Sequence, residues 1–121
     1  MRHESLYLTD IVDAADHIAD FISAADFRAF QESELLRSAV VQKLAVIGEA
    51  AARASEELKA RHPQIPWPQI IAFRNILVHA YFGIDWDVVW RAAKNRCPVL
   101  REQVSGILAA EPGDLTDQGR Q

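Results

Sequence analysis

The segment Ile70-Ile-Ala-Phe-Arg74-Asn75-Ile-Leu-Val-His79-Ala-Tyr81-Phe82 decides how this chain folds. Apart from Arg74, Asn75, His79 and Tyr81, every residue in it is apolar. A helix that is apolar all round is expected to be buried on nearly all sides. Buried polar groups are costly unless they are paired. The four polar side chains therefore need partners, and a ligand or substrate is one candidate.

Four helices, separated by recognisable breaks, account for most of the sequence. We predict them at about residues 5–24, 33–60, 68–81 and 86–110, with a loop at 25–31 and a proline-rich break at 62–68. Three of the helices have apolar residues three or four apart on one face. These stripes are Ile11, Ala15, Ile18 and Ile22; Leu36, Val40, Leu44, Ile47, Ala51 and Leu58; and Val89, Ala93, Leu100, Val104 and Ile107.

Local signals mark the ends of the last two helices. Pro68 suits the first turn of a helix, Gly83 is a plausible C-cap and Asp85 a plausible N-cap. Pro98 should kink or interrupt the fourth helix, because proline lacks the backbone donor. The sequence predicts an all-α bundle of four principal helices, with one domain at residues 1–110 and a disordered tail at 111–121. The long second helix and the apolar third helix suggest more surface to bury than one bundle offers, so we expect a homodimer.

Composition excludes several classes of protein. The chain has 121 residues, the size of one domain, with no apolar run long enough for a transmembrane helix and no signal peptide. Its single cysteine, Cys97, excludes an internal disulfide framework, so a cytoplasmic location is expected. The net charge of -4 argues against strong non-specific nucleic-acid binding. Residues 61–101, however, contain six basic and two acidic residues, and the polar segment lies inside this basic region.

Helix geometry separates the four polar side chains. At about 100° per residue, Asn75 and His79 share a face, whereas Arg74 and His79 point about 140° apart. One regular helix does not easily bring Arg74 and His79 together. Three solutions remain open: the helix loosens near His79, Arg74 folds around the helix, or a second subunit completes the site.

The residue types favour metal-free RNA cleavage. Histidine titrates near neutrality and can act as general acid or base. Arginine is a permanent charge that matches phosphate and would offset charge that builds up on its oxygens while a 2′-hydroxyl attacks. The alternative interpretation is structural: His79 is a hydrogen-bonded core residue, Arg74 is an ion-pair partner, and the chain is a non-catalytic helical module that binds a nucleotidyltransferase or a nucleotide.

A known family shares these residues in the same order. The pattern Arg74-Asn75-x3-His79-x-Tyr81 resembles the R-x4-H-x-Y motif of HepT-like toxins, a branch of the HEPN superfamily. The block Val46-Ile-Gly-Glu-Ala-Ala51, the segment Ile65-Pro-Trp67 before the motif and Asp85-x4-Trp90 after it resemble that family as well. The resemblance covers about residues 5–105.

The resemblance implies a function, partners and roles for single residues. HepT-like proteins are small all-α homodimers that cleave RNA without a metal or other cofactor, in a cleft shared by two subunits. Carried over, Arg74 and His79 are catalytic and Asn75 supports them. The implied partner is a minimal nucleotidyltransferase antitoxin of the MntA type, which transfers AMP from ATP to Tyr81. The charge and bulk of AMP would then compete with RNA for Arg74 and His79.

Glu49 is a weaker candidate with two interpretations. The family has a glutamate at this position, so Glu49 is expected to line the cleft or to orient Arg74. The alternative is an i,i+4 pair with Arg53 on a solvated helix face.

Other polar and aromatic residues favour structural roles. A basic face on the fourth helix could follow an RNA backbone, but a solvated face is the stronger interpretation. An acidic face on the first helix superficially suggests a metal, but a solvated stripe or a surface that docks the antitoxin fits better. The tryptophans are expected to be core or interface anchors, and Cys97 a small buried hydrophobe. The two faces are formed by Arg91, Lys94 and Arg101 and by Asp13, His17 and Asp20; the tryptophans are Trp67, Trp86 and Trp90.

Overall fold

The computed structural model describes residues 3–110, which contain helices and no strand. The α-helices are α1 (Glu4–Ile22), α2 (Phe27–Glu32), α3 (Glu34–Arg53), α4 (Glu56–Arg61), α5 (Trp67–His79), α6 (Trp86–Arg91) and α7 (Cys97–Ala110). A 3-10 turn follows α5 (Tyr81–Gly83), and a π-helical segment joins α6 to α7 (Ala92–Arg96). The all-α prediction is confirmed, and α1, α3, α5 and α7 are its principal helices. The predicted disordered tail at 111–121 lies outside the described residues.

The apolar stripes read from the sequence form the core. Helix α1 packs between α3 and α7, and α3 also packs against α5. Every stripe residue of the first and fourth predicted helices is buried, as is each of the second except the half-buried Leu36. Trp67 is buried as an anchor, with its indole N–H donating to the His62 carbonyl at 3.0 Å. No helix within residues 3–110 is both long and apolar enough to cross a membrane.

Two short helices correct the predicted second helix and the loop before it. The predicted loop contains α2, which begins because the Asp26 carboxylate accepts from the Ala29 backbone N–H at 2.8 Å. The predicted second helix divides at Ala54, whose extended backbone ends α3. The Ser55 hydroxyl then accepts from the Leu58 N–H at 3.0 Å and starts α4. One capping side chain therefore starts each of these two short helices.

The predictions about prolines and caps near the last two helices had mixed outcomes. Asp85 caps α6 as predicted, and Pro68 lies in the first turn of α5. Gly83 is not the C-cap of α5, which ends at His79; it closes the 3-10 turn without a positive φ. The predicted interruption at Pro98 is present: a π segment (Ala92–Arg96) separates α6 from α7, and Pro98 lies in the first turn of α7, where its missing donor is tolerated.

Helix α5 is not buried on nearly all sides, and this prediction was wrong for the single chain. Only Trp67 and Leu77 of α5 are buried. Ile76 and Val78 are 52% and 51% exposed, and Phe82 in the following turn is fully exposed. The physical reason is position: α5 lies at the edge of the bundle, packed mainly on α3. A groove of about 560 Å³, with a mostly apolar lining, runs between α5 and the α6–α7 arm.

Candidate functional site

Arg74 lies where α3 and α5 come closest. Gly48, in the middle of α3, faces the first carbons of the Arg74 side chain. A Cβ on residue 48 would lie 2.6 Å from the Arg74 Cγ and 3.4 Å from its Cα, so a larger residue does not fit. Gly48 therefore sets the distance between the two helices at the Arg74 position. The sequence did contain a signal for this role, since glycine inside a helix costs about 1 kcal/mol relative to alanine and needs a packing reason.

Glu49 holds the guanidinium of Arg74. The Arg74 Nη1 lies 3.0 Å from the Glu49 Oε1, while the other carboxylate oxygen of Glu49 accepts from the Arg53 Nε at 2.7 Å. The Glu49 carboxylate therefore bridges two arginines, and the ion pair that each interpretation calls for is present. The Arg74 side chain is 23% exposed, and its Nε is buried without a hydrogen-bond partner. Arg74 is thus held at one end and retains unused donors.

His79 and Asn75 lie on the open side of α5. His79 is the last residue of the helix and is exposed, as is Asn75. Neither side chain makes a hydrogen bond or ion pair within residues 3–110, and none joins His79 to Arg74. A buried, hydrogen-bonded His79 would favour the structural interpretation, whereas His79 is exposed at the end of α5. An exposed imidazole can exchange protons with whatever binds there.

Tyr81 stands on an aromatic platform just beyond His79. It lies in the 3-10 turn, so the helix does end where the sequence suggested loosening. Its ring packs edge-on against Trp86 at 5.9 Å and against Phe82 at 5.8 Å between centroids. The Tyr81 side chain is 37% exposed, and its hydroxyl makes no hydrogen bond within the described part of the chain.

The sequence analysis overlooked Arg37, which belongs to the same platform. Its guanidinium carbon lies 5.2 Å from the centroid of the Trp86 ring. Trp86 and Trp90 are half-buried and pack on the buried Phe30 at 6.1 and 5.3 Å, so their predicted role as anchors is correct within the chain. The available signal for Arg37 was its spacing of eleven residues from Gly48, which places both on one face of α3.

The other predicted candidates have ordinary surroundings. On the basic face, Arg91 pairs with Asp87 at 3.0 Å and Arg101 with Asp16 at 3.0 Å, which neutralises most of that face. The acidic face of α1 is exposed, and no three His, Cys, Asp or Glu residues of the described chain are grouped to hold a metal ion. Cys97 is buried as predicted, and burial raises the pKa of its thiol to about 12.

The arrangement suits chemistry on a phosphodiester. Arg74 offers a fixed positive charge with free donors, and His79 offers an imidazole, a side chain that can act as general acid or base. Arg74 packs against α3, whereas His79 is exposed at the end of α5, and no hydrogen bond or ion pair joins the two within residues 3–110. Ile76, Val78 and Phe82 form an exposed apolar surface around His79, and exposed apolar patches mark interaction sites.

Comparisons with known proteins agree on one family. The family model described as "Ribonuclease HepT-like" matches residues 11–107. "Probable ribonuclease HepT" of Thermococcus cleftensis is 37% identical over 100 residues, which is 83% of this chain and 91% of that protein. A Methanocaldococcus jannaschii protein whose name reads "Putative RNase" is 32% identical over 103 residues, or 85% and 94% of the two chains. No solved structure gave a significant match. With its helices and its motif in the family's order, the chain belongs to the HepT-like ribonuclease family of the HEPN superfamily.

Proposed function

We propose that this protein is a metal-independent endoribonuclease toxin whose site is formed by Arg74 and His79. The observation that carries the proposal is the ion pair of 3.0 Å by which Glu49 fixes the Arg74 guanidinium, on the helix that ends with an exposed His79 that makes no hydrogen bond or ion pair within residues 3–110. Relatives of similar length are named as ribonucleases, which supports RNA as the substrate.

The cleavage needs only the groups of the RNA and the two side chains. The 2′-hydroxyl loses its proton to a base, and its oxygen forms a bond to the adjacent phosphorus. The bond from phosphorus to the 5′-oxygen of the next nucleotide breaks, and that oxygen takes up a proton. His79 moves protons in this sequence, while Arg74 stabilises the charge that develops on the non-bridging oxygens. Asn75, exposed one residue after Arg74, is placed to support either group.

We further propose that the working form is a homodimer in which α5 of each chain faces the other. The exposed Ile76, Val78 and Phe82 would then be covered, which restores the burial that their sequence predicts. Arg74 of one chain and His79 of the second would meet in a cleft between the chains. Arg74 and His79 of one chain then do not have to converge, so the angle of about 140° between them is compatible with the proposed cleft.

Tyr81 is proposed as the site that silences the enzyme. The partner is a minimal nucleotidyltransferase antitoxin. The Tyr81 oxygen would attack the α-phosphorus of ATP and lose its proton to water, and pyrophosphate would leave. The resulting phosphodiester carries a negative charge two residues from His79, where it would compete with RNA. The partial exposure of Tyr81 beside the Trp86 ring supports this role.

The test of the activity is cleavage of RNA by the purified protein in excess EDTA. We expect cleavage by the wild type and a loss of at least about a hundredfold in Arg74→Ala and in His79→Ala. Arg91→Ala, which removes a surface arginine of an i,i+4 pair, is the matched control and should cleave normally. Undiminished cleavage by both site variants would refute the roles, and dependence on a divalent cation would refute metal independence.

The test of the modification uses a cognate nucleotidyltransferase, ATP and mass spectrometry. We expect the intact protein to gain the mass of one or more AMP groups and to lose RNA cleavage. Tyr81→Phe should stay unmodified and active. Modification of Tyr81→Phe would show that another residue is the acceptor.

A further inference from the structure

One arginine of the described chain has its charge uncompensated next to the proposed site. Most arginines between residues 3 and 110 lie within 4 Å of a carboxylate, but Arg37 makes no such pair. One of its terminal nitrogens donates to the Gln31 backbone carbonyl, and its Nε is buried without a partner. The remaining terminal N–H groups are unused. A half-buried cation without an acid, held on a tryptophan ring, is a group prepared to meet an anion.

Arg37 lies on the face of α3 that carries the site. Arg37 and Gly48 are eleven residues apart, which is a difference of about 20° around a helix and about 16 Å along it. Gly48 touches Arg74, so Arg37 lies three turns further along the same face. After Arg74, the polypeptide continues through His79 and Tyr81 to Trp86. The Trp86 ring contacts both Tyr81 and the Arg37 guanidinium. Arg74 and Arg37 are therefore the two ends of one continuous surface.

We propose that Arg37 is a second phosphate-binding arginine, which contacts the RNA backbone several nucleotides from the cleaved bond. The inference rests on the proposed ribonuclease function and deepens it. Residue 37 lies about 16 Å along α3 from Gly48, where Arg74 packs, and this spacing suits two phosphates of one single strand better than one shared phosphate. Arg37 thus binds substrate without taking part in the reaction.

Trp86 explains how the side chain is ready before RNA arrives. A guanidinium within about 6 Å of an indole centroid is attracted to the ring, and this fixes its direction. A side chain that is ordered in advance loses less conformational entropy when it binds. The hydrogen bond to Gln31 adds a second restraint. Arg28, on the neighbouring α2, is exposed and forms an ion pair with Glu32 at 3.2 Å. Its charge is therefore compensated by a carboxylate, unlike that of Arg37.

The test is RNA binding in a background that cannot cleave. A fluorescein-labelled single-stranded RNA of about 16 nucleotides is titrated with His79→Ala protein, and anisotropy gives Kd at several salt concentrations. Adding Arg37→Gln should weaken binding by about tenfold or more and reduce the slope of log affinity against log salt by about 0.7. Arg28→Gln, with the same charge change, should leave Kd within about twofold. Equal effects of the two variants would overturn the proposal.

Two further measurements separate the possible failures. With His79 present, Arg37→Gln should raise KM and leave kcat near the wild-type value, and Arg37→Lys should recover part of the affinity because the charge returns. A loss of thermal stability shared by Arg37→Gln and Arg37→Lys, with affinity recovered in neither, would mean a purely structural role. If the wild type neither binds nor cleaves RNA, the proposed function itself fails. If it does both and Arg37→Gln matches Arg28→Gln, only the role of Arg37 fails.

Discussion

Gly48→Ala tests the contact that places Arg74. The substitution adds one methyl group, and its carbon would lie 2.6 Å from the Arg74 Cγ and 3.4 Å from the backbone Cα. Carbon atoms prefer about 3.5–4.0 Å. The Arg74 Cβ, whose position is fixed by the backbone, is crowded even more than the Cγ, so a change of rotamer cannot relieve the overlap. Helix α5 must move away from α3 by roughly 1 Å, and Arg74 moves with it.

The magnitude follows from two opposing effects on stability. Inserting a methyl group into a well-packed contact costs about 1–3 kcal/mol. Alanine inside a helix stabilises by about 1 kcal/mol relative to glycine. We therefore expect a net loss of up to about 2 kcal/mol in the free energy of unfolding. The effect on catalysis should be larger, since a displacement of about 1 Å at a catalytic group can cost about a hundredfold in rate.

Gly106→Ala is the matched control, because the same change occurs inside α7 with no atom within 4 Å of the new Cβ. Only helix propensity acts there, so Gly106→Ala should stabilise by up to about 1 kcal/mol and leave RNA cleavage unchanged. Urea unfolding and cleavage of a labelled RNA in EDTA measure both quantities. The reasoning is refuted if Gly48→Ala is stabilised like Gly106→Ala and cleaves at the wild-type rate.

Three other predictions concern the Cys97 thiol, the Glu49 carboxylate that bridges two arginines, and the exposed Phe82. Burial raises the Cys97 pKa from 9.0 to about 12, so above pH 9 only the unfolded thiol ionises. Stability should fall by up to about 1.4 kcal/mol per pH unit up to pH 12, and Cys97→Ala should remove that part of the slope in alkaline unfolding curves. Glu49→Ala frees Arg74, so kcat should fall about tenfold without a rise in KM; the opposite pattern in steady-state kinetics would contradict the bridge. Phe82→Ser should weaken the dimer in sedimentation equilibrium with unchanged monomer stability, and an unaffected dimer would place the interface elsewhere.

The sequence predicted the interior of the bundle better than its boundaries. Residues such as Ile11, Val40 and Val104 were correctly assigned to the core because a stripe sums many apolar positions over several turns. The starts of α2 and α4 depend on single hydrogen bonds that Asp26 and Ser55 accept, and similar residues occur in many places where no helix starts. The apolar periodicity of the sequence therefore did not predict the two short helices α2 and α4.

The same limit applies to the candidate site. The motif residues were found because they interrupt an apolar segment. A contact between Glu49 and Arg74 was one of the two interpretations offered for Glu49. Gly48 and Arg37 were missed because their roles arise from contacts between elements far apart in sequence, with Arg74 and with Trp86. The predicted burial of α5 was wrong for the single chain. An apolar sequence indicates that a surface tends to be covered, but it does not identify what covers it.

Whether two chains build each site can be decided by mixing two inactive variants. Arg74→Ala keeps His79, and His79→Ala keeps Arg74. If Arg74 of one chain works with His79 of the other, a mixed dimer contains one site with both residues intact and one with neither. Half of the dimers in an equal mixture are mixed, so about a quarter of the wild-type activity should return after subunit exchange. If the two residues of one chain work together, each site lacks one of them in every dimer and no activity returns. The exposed position of His79, with no contact to Arg74 in its own chain, leads us to expect recovery.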